Sequence, residues 1–339
     1  MEMTPRKEKI LSTVVRDFVK SGEPVGSKAI ADEIGVSSAT VRSEMADLIE
    51  MGLLEQPHTS AGRMPSQRGY REYVDRLMQV PKLREEEKRY FDSMLLSSAF
   101  EPERLLICAG RLLSGVTRYA AAVTTPSGLL ATVKAVQFVQ TSRRTAMLLL
   151  ISSAGTLKTK VFHCDFDLTS EIMRVLFRIF NERVTGKEVT EITPAFLQTM
   201  GASLGELYVL AGSALQALLE AAQDTVETET LISGQMNLLF YPELEHRRIM
   251  DLLERKEDVV SLLRRKPGRI SVLIGSEIDR PELREASLLV SRYAIDGQDV
   301  GALSLLGPTR MDYAFSVAVL QYLTDEVSRM LTVLTREEF

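Results

Sequence analysis

The chain has 339 residues, 45% of them hydrophobic and 26% charged, with a formal net charge of −5. That length exceeds one ordinary core, so two or three domains of a soluble globular protein are expected. No apolar run approaches the roughly 18 residues of a spanning helix, and the net acidity offers a nucleic-acid partner no bulk positive charge.

The N-terminus, Met1-Glu2-Met3-Thr4-Pro5-Arg6, lacks the apolar core of a signal peptide, so a cytoplasmic protein is expected. Its cysteines, Cys108 and Cys164, read as free thiols. His58, His163 and His246 are scattered and share no ligand spacing with them, so neither zinc nor another cofactor is expected. Residues 1–80 hold 11 Lys/Arg against 12 Asp/Glu. Any role on DNA must therefore come from how charges sit on particular elements.

The first predicted element is a helix from about Thr4 to Lys20. Thr4 suits its N-cap and Pro5 its first position. Ile10, Leu11, Val14, Val15 and Phe18 form one apolar face, and Gly22-Glu23-Pro24 stops it.

Residues 27–46 follow as two helices about a tight turn. Ser27 reads as the cap of the first, and Ala31 is small where the second would cross it. Gly35 supplies the positive φ between them, and Ser37 caps the second. A small residue, glycine four residues on and apolar Val41 six further is helix-turn-helix spacing. Glu44 stands where many such units carry an apolar side chain, and Met45 is expected to take that role. With Val41, Met45 and Leu48 inward, Ser38, Ala39, Arg42 and Ser43 face out near the helix N-terminus, where base edges are met in the major groove. Arg42 suits bidentate guanine readout; the plain alternative is a solvated arginine paired with a carboxylate.

Leu53 to Pro57 reads as a strand, His58 to Gly62 as a polar loop, and Arg63-Met64-Pro65 as the return: a β-hairpin wing. His58, Thr59, Ser60 and Arg63, at or near its tip, suit phosphate or minor-groove contact, although His58 can equally be a loop residue without a role. Ser66 caps a helix bearing Arg68, Arg71 and Arg76 on one face and Tyr70, Tyr73, Val74 and Leu77 on the other.

Beyond Val80-Pro81, Lys82 to Arg89 is a mixed-charge run expected to be a solvated helical linker over 81–100. A helix from Leu105 to Val116 leads into strands at Tyr119–Thr125, Thr132–Gln140, Ala146–Ser152 and Leu157–Cys164. The chain then turns helical: Ile172 to Phe180 at helical spacing, one helix over about Leu204 to Gln223, another from near Pro242 to about Arg265. Strands return at Ile270–Ile274, Ser287–Ala294 and Gly301–Leu306. A long helix begins near Pro308, and its stripe of Tyr313, Val317, Leu320, Val327, Leu331 and Leu334 fits packing on its own sheet or a coiled-coil seam. The class is α+β and multidomain: a DNA-binding domain over 1–80, an α/β domain over 101–164 and 226–339, and a helical insertion over 165–225.

The runs Pro24-Val25-Gly26-Ser27, Ser38-Ala39-Thr40-Val41-Arg42, Gln56 to Arg63 and Gly69-Tyr70-Arg71 closely resemble the heat-inducible transcription repressor HrcA family. Gly234-Gln235-Met236-Asn237-Leu238 and Gly307 to Tyr313 resemble that family's later motifs, so the resemblance spans nearly the whole chain. It implies a winged helix-turn-helix, a GAF-like domain and an inserted dimerisation domain. It also implies a homodimer on double-stranded inverted-repeat operator DNA upstream of chaperone genes, kept active by the GroE chaperonin. Ser38, Thr40, Arg42, Ser43, His58, Thr59, Ser60, Arg63, Arg68 and Arg71 are the candidate DNA-binding residues. Ser43 departs from the family's usual Asn, Ser66 from Thr and Ile49 from Glu, and the first could alter a base contact.

An enzyme is not expected. The chain has no glycine-rich phosphate loop and no Gly-x-Ser-x-Gly, and Ala154-Gly155 reads as a turn, not a self-cleavage site. The alternative is a regulator gated by a small ligand in the GAF-like domain, although fold alone does not establish a ligand. The Gly307–Tyr313 motif could serve such a site or fix the start of the last helix and its interdomain packing.

Overall fold

In the computed structural model, which describes residues 2–58, 62–98, 101–126, 128, 131–205, 208–264 and 268–336, α1 (Pro5–Ser21) begins and ends on its sequence signals. The Thr4 hydroxyl accepts the Lys7 N–H at 3.4 Å, and Gly22, at φ 70°, donates its N–H to the Phe18 carbonyl. Helices α2 (Ser27–Ile34) and α3 (Ser38–Glu50) pack their apolar faces on α1, burying Ile30, Val41, Met45 and Leu48 with Ile10, Leu11, Val14 and Val15. Ser27 is the first residue of α2 and not its cap; Gly26 holds the cap position, and the Ser27 hydroxyl bonds that of Ser38. Strands β1 (Leu54–Glu55) and β2 (Met64–Pro65) form the wing, and α4 (Gln67–Glu72) runs into a π-helical turn over Tyr73–Leu77.

Helix α5 (Glu85–Leu96) is solvated on one side only. Its Phe91 and Leu95 are buried, and its Asp92 accepts the Tyr322 hydroxyl at 2.7 Å. After α6 (Pro102–Thr117) comes β3 (Ala120–Thr124), a central strand of an antiparallel sheet in the order β7-β3-β10-β9-β8. The partners are β7 (Thr230–Ser233), β8 (Ile270–Ile274), β9 (Ala286–Ile295) and β10 (Gln298–Pro308). Alternation along β3 sorts the two faces. Ala121 and Val123 join the core under α6 and α12 (Tyr313–Arg336), whereas Ala120 and Ala122 face α10 (His246–Glu254) and α11 (Lys256–Arg264). The expected single helix from near Pro242 is thus two, broken at Arg255.

The stripe on α12 packs on its own sheet and α6. Val317, Leu320, Val327 and Leu331 are buried, and Thr324, a polar residue buried among them, donates its hydroxyl to the Leu320 carbonyl at 2.7 Å. The helix starts at Tyr313, not near Pro308, because Pro308 still pairs with Ala286 in the sheet.

The insertion is larger than the pattern of apolar runs suggests. Strands β4 (Val133–Gln140), β5 (Thr145–Ser152) and β6 (Leu157–His163) do not join the five-stranded sheet. They form their own antiparallel sheet against α7 (Ser170–Val184), α8 (Pro194–Ser203) and α9 (Tyr208–Val226), around a separate core that includes Val136, Leu148, Phe180 and Leu218. The excursion leaves after β3 and returns at β7, which pairs with β3, so the expected 165–225 segment extends back to about residue 131.

Candidate nucleic-acid interface

The candidate recognition element is α3. Ser37 caps it, accepting the Thr40 N–H at 3.0 Å, while its hydroxyl lies 2.8 Å from that of Thr40. Gly35, at φ 78°, makes the turn before it, where an L side chain would be strained. Val41, Met45 and Leu48 point into the core, so Ala39, Arg42 and Ser43 are exposed on the opposite side. Ser38 and Thr40 are half-buried, each tied to a neighbouring serine. Arg42 makes no hydrogen bond or ion pair among the described residues, so the solvated, carboxylate-paired alternative loses its carboxylate.

Glu44 breaks the apolar pattern because it faces α1. It lies 3.5 Å from Lys7 and from Arg6, and Asp47 holds Lys7 at 2.8 Å. Hydrogen bonding to Asp47 raises the Lys7 ammonium above its ordinary pKa.

The wing pairs Leu54 with Pro65 and Glu55 with Met64. Arg63 then bonds Val25 through both backbone groups, at 2.8 and 2.9 Å. This makes Arg63 a base residue of the wing, half-buried and pinned, and not a tip residue. Gly62 permits the approach, since a Cβ there would lie 2.5 Å from the Val25 carbonyl. His58 is exposed on the outgoing side. Thr59 and Ser60 lie outside the described residues.

Ser66 caps α4, accepting the Gly69 N–H at 3.0 Å and donating to the Gly52 carbonyl at 2.6 Å. Of the arginines that follow, Arg68 is exposed beside Gly52, and Arg76 pairs with Glu72 at 3.3 Å. Arg71 departs from the expected DNA face. Its guanidinium grips Glu277 and donates to the Val272 carbonyl at 2.8 Å, both in the second domain. Lys28 escaped the reading of spacings. It is exposed at the second position of α2, next to the Ser27–Ser38 contact that brings the first turns of α2 and α3 together. Only that contact marks it.

Away from this face, the Gly307–Tyr313 motif is held within the second domain. Arg310 pairs with Glu243 at 2.5 Å, the Asp312 N–H donates to the Tyr119 hydroxyl at 3.0 Å, and the Asp312 carboxylate accepts the Phe315 N–H at 3.1 Å. The motif thus starts α12, and its Tyr313 ring lies 5.9 Å from that of Tyr70 in the winged helix, beside a cleft of about 570 Å³ between the domains. No cluster of metal-ligating side chains exists among the described residues, and none of their helices is long and apolar enough to cross a membrane.

Residues 2–76 match the family described as winged helix-turn-helix transcription repressor, HrcA DNA-binding, and residues 103–317 match HrcA protein C terminal domain. The heat-inducible transcription repressor HrcA of Desulforudis audaxviator is 36% identical over 99% of this chain and 100% of the relative. That of Carboxydothermus hydrogenoformans is 34% identical over 96% and 97%. A crystal structure of a hypothetical protein at 2.2 Å resolution superposes with a TM-score of 0.72 at 25% identity, covering 98% of this chain and 100% of that one. The two-helix unit with its free arginine, the wing, and likeness over nearly the whole length agree: the chain belongs to the HrcA family of heat-inducible transcription repressors.

Proposed function

We propose that this chain represses chaperone genes by binding an inverted-repeat operator as a homodimer, with its active form maintained by the GroE chaperonin. The observation that carries the DNA-reading part is Arg42, exposed and unpaired on the first turns of a helix whose opposite face is core. A guanidinium so placed is free to meet the two acceptors of a guanine in the major groove. Ser38, Thr40 and Ser43 neighbour it on the helix, and His58, Thr59, Ser60, Arg63 and Arg68 are the candidate backbone contacts, joined by Lys28.

The outer face of the inserted sheet supports dimerisation. Register brings Val139, Met147 and Val161 into one row and Ala135, Ile151 and Leu157 into another. Val139, Leu157 and Val161 are 46%, 56% and 66% exposed, while the opposite face is packed on helices. An uncovered apolar sheet face marks an interaction surface, and a second copy presenting the same face satisfies two-fold symmetry. The GAF-like description of the five-stranded domain belongs to the same reading.

Dependence on a chaperonin fits the topology. The centre of the main sheet joins β3 to β10, with Ser304 donating to Ala122 across 182 positions, and the whole insertion folds between β3 and β7. Such non-local pairing is slow and leaves apolar surface exposed on the way. The test is footprinting of purified protein on DNA upstream of chaperone genes from the same source. Two protected half-sites in inverted orientation are expected; uniform or no protection overturns the reading.

A further inference from the structure

The winged helix is not a tethered module. Its core runs without a break into that of the five-stranded domain, with the Tyr70 and Tyr313 rings 5.9 Å apart at the junction. Beside this contact the outer side of α4 meets the edge strand β8. The Arg71 guanidinium engages both Glu277 oxygens and the Val272 carbonyl, and its remaining nitrogen holds Asp75 at 3.1 Å. One turn earlier, the Gln67 amide donates to the Ile274 carbonyl and the Ser276 hydroxyl, each at 2.8 Å, and its oxygen accepts from Ser276. Gly275, at φ 55°, lets the strands' end come this close; a Cβ there would lie 2.8 Å from the Gln67 oxygen. Glu277 is itself fixed, accepting the Ile274 N–H at 3.0 Å. Ala39, Arg42 and Ser43 stay exposed with the domains docked.

We infer that Arg71 and Gln67 are positioning residues that set the angle at which each winged helix is presented, and hence the half-site spacing the repressor accepts. A planar guanidinium bonded to a carboxylate and a strand carbonyl resists rotation more than a point charge would. Docking of this kind fixes direction without covering the recognition helix. In a dimer, two winged helices held at fixed angles reach half-sites at one separation, since both must be engaged at once for the second to add affinity. The inference rests on the dimeric reading above.

The test measures binding of full-length protein to operators with the natural spacing, with one or two base pairs inserted or removed, and to a single half-site. Wild type is expected to lose at least about tenfold on altered spacing. Glu277→Gln and Gln67→Ala should each narrow that discrimination to within about threefold, leaving single half-site affinity and the salt dependence unchanged. The exchange Arg71→Glu with Glu277→Arg should recover part of the discrimination. Light scattering and thermal melting accompany each variant, and Gln67→Ala keeps the test open if loss of the ion pair unfolds the domain. Variants that keep full discrimination, or that weaken every site and the single half-site equally, overturn the inference. So does a wild type indifferent to spacing; if it is also monomeric, the dimeric reading falls with it.

Discussion

The Leu53 carbonyl oxygen sits 2.0 Å from where a Cβ on Gly69 would stand, so the start of the wing and the first turn of α4 touch backbone to backbone. Gly69→Ala must push these elements apart, and overpacking of this kind costs about 1–3 kcal/mol or more. Thermal melting of the isolated variant should show that loss, together with weakened DNA binding, because Arg68 rides on the displaced helix. An unchanged melting temperature would mean that the contact relaxes freely.

Arg42→Ala should weaken specific binding by roughly 1–3 kcal/mol and relax preference at one base pair per half-site. Binding to random DNA should change far less. Gel-shift titration against a panel of single-base operator variants reads this directly. Equal loss on operator and random sequence would reduce Arg42 to a phosphate contact.

Arg68 and Arg71 lie three residues apart and should behave differently on DNA. Exposed Arg68, replaced by alanine, should lower the slope of log K against log salt by about one unit. Arg71→Ala should leave that slope unchanged, because its guanidinium is engaged by Glu277 and Val272. Identical slopes for the two variants would put Arg71 back on the DNA face.

That pair shows what a linear pattern can carry. The caps Thr4, Ser37 and Ser66 and the turn glycine Gly35 act within a few residues, so they could be read from spacing alone. Arg71 looked like part of a basic face because its partner lies 206 positions away. The inserted strands were legible as strands, since alternation is local. Which sheet they join depends on pairing partners, which alternation does not encode. Strand β7 has only four residues and follows the acidic run around Glu227 and Glu229, and α8 lacks a clear apolar stripe, so neither announced itself. Glu44 looked like a flaw in the recognition helix until Lys7 and Arg6 supplied its partners on α1.

Val161→Asp should break the proposed dimer. The side chain is 66% exposed in the single chain, in a row with Val139 and Met147, so the charge is tolerated by the monomer and is buried unpaired only on association. Light scattering should report a monomer with an unchanged far-ultraviolet spectrum. Affinity for the full operator should fall toward that of one half-site, a loss of about 10²-fold or more when avidity is removed. A dimer that survives Val161→Asp and Leu157→Asp together would place the interface on another surface.

The chaperonin prediction follows from how apparent affinity counts molecules. Apparent Kd equals the intrinsic value divided by the competent fraction, so a preparation one-tenth active appears tenfold weaker. Here the five-stranded sheet is completed only when β10 reaches β3 and β7 returns from the insertion, while the insertion builds a core of its own. Incomplete states of such a chain keep the Val139–Val161 face and the open edge of β3 exposed together, which favours aggregation over refolding. A GroE chaperonin with ATP should therefore raise the titratable number of active dimers in a fresh preparation, without changing the dissociation constant of those already active. Adding an unfolded competitor protein should reverse the gain, because it occupies the same chaperonin. A titration end point that stays constant under both additions would remove the chaperonin from control of this repressor. The cleft between Arg310 and the wing would then become the place to look for a small ligand.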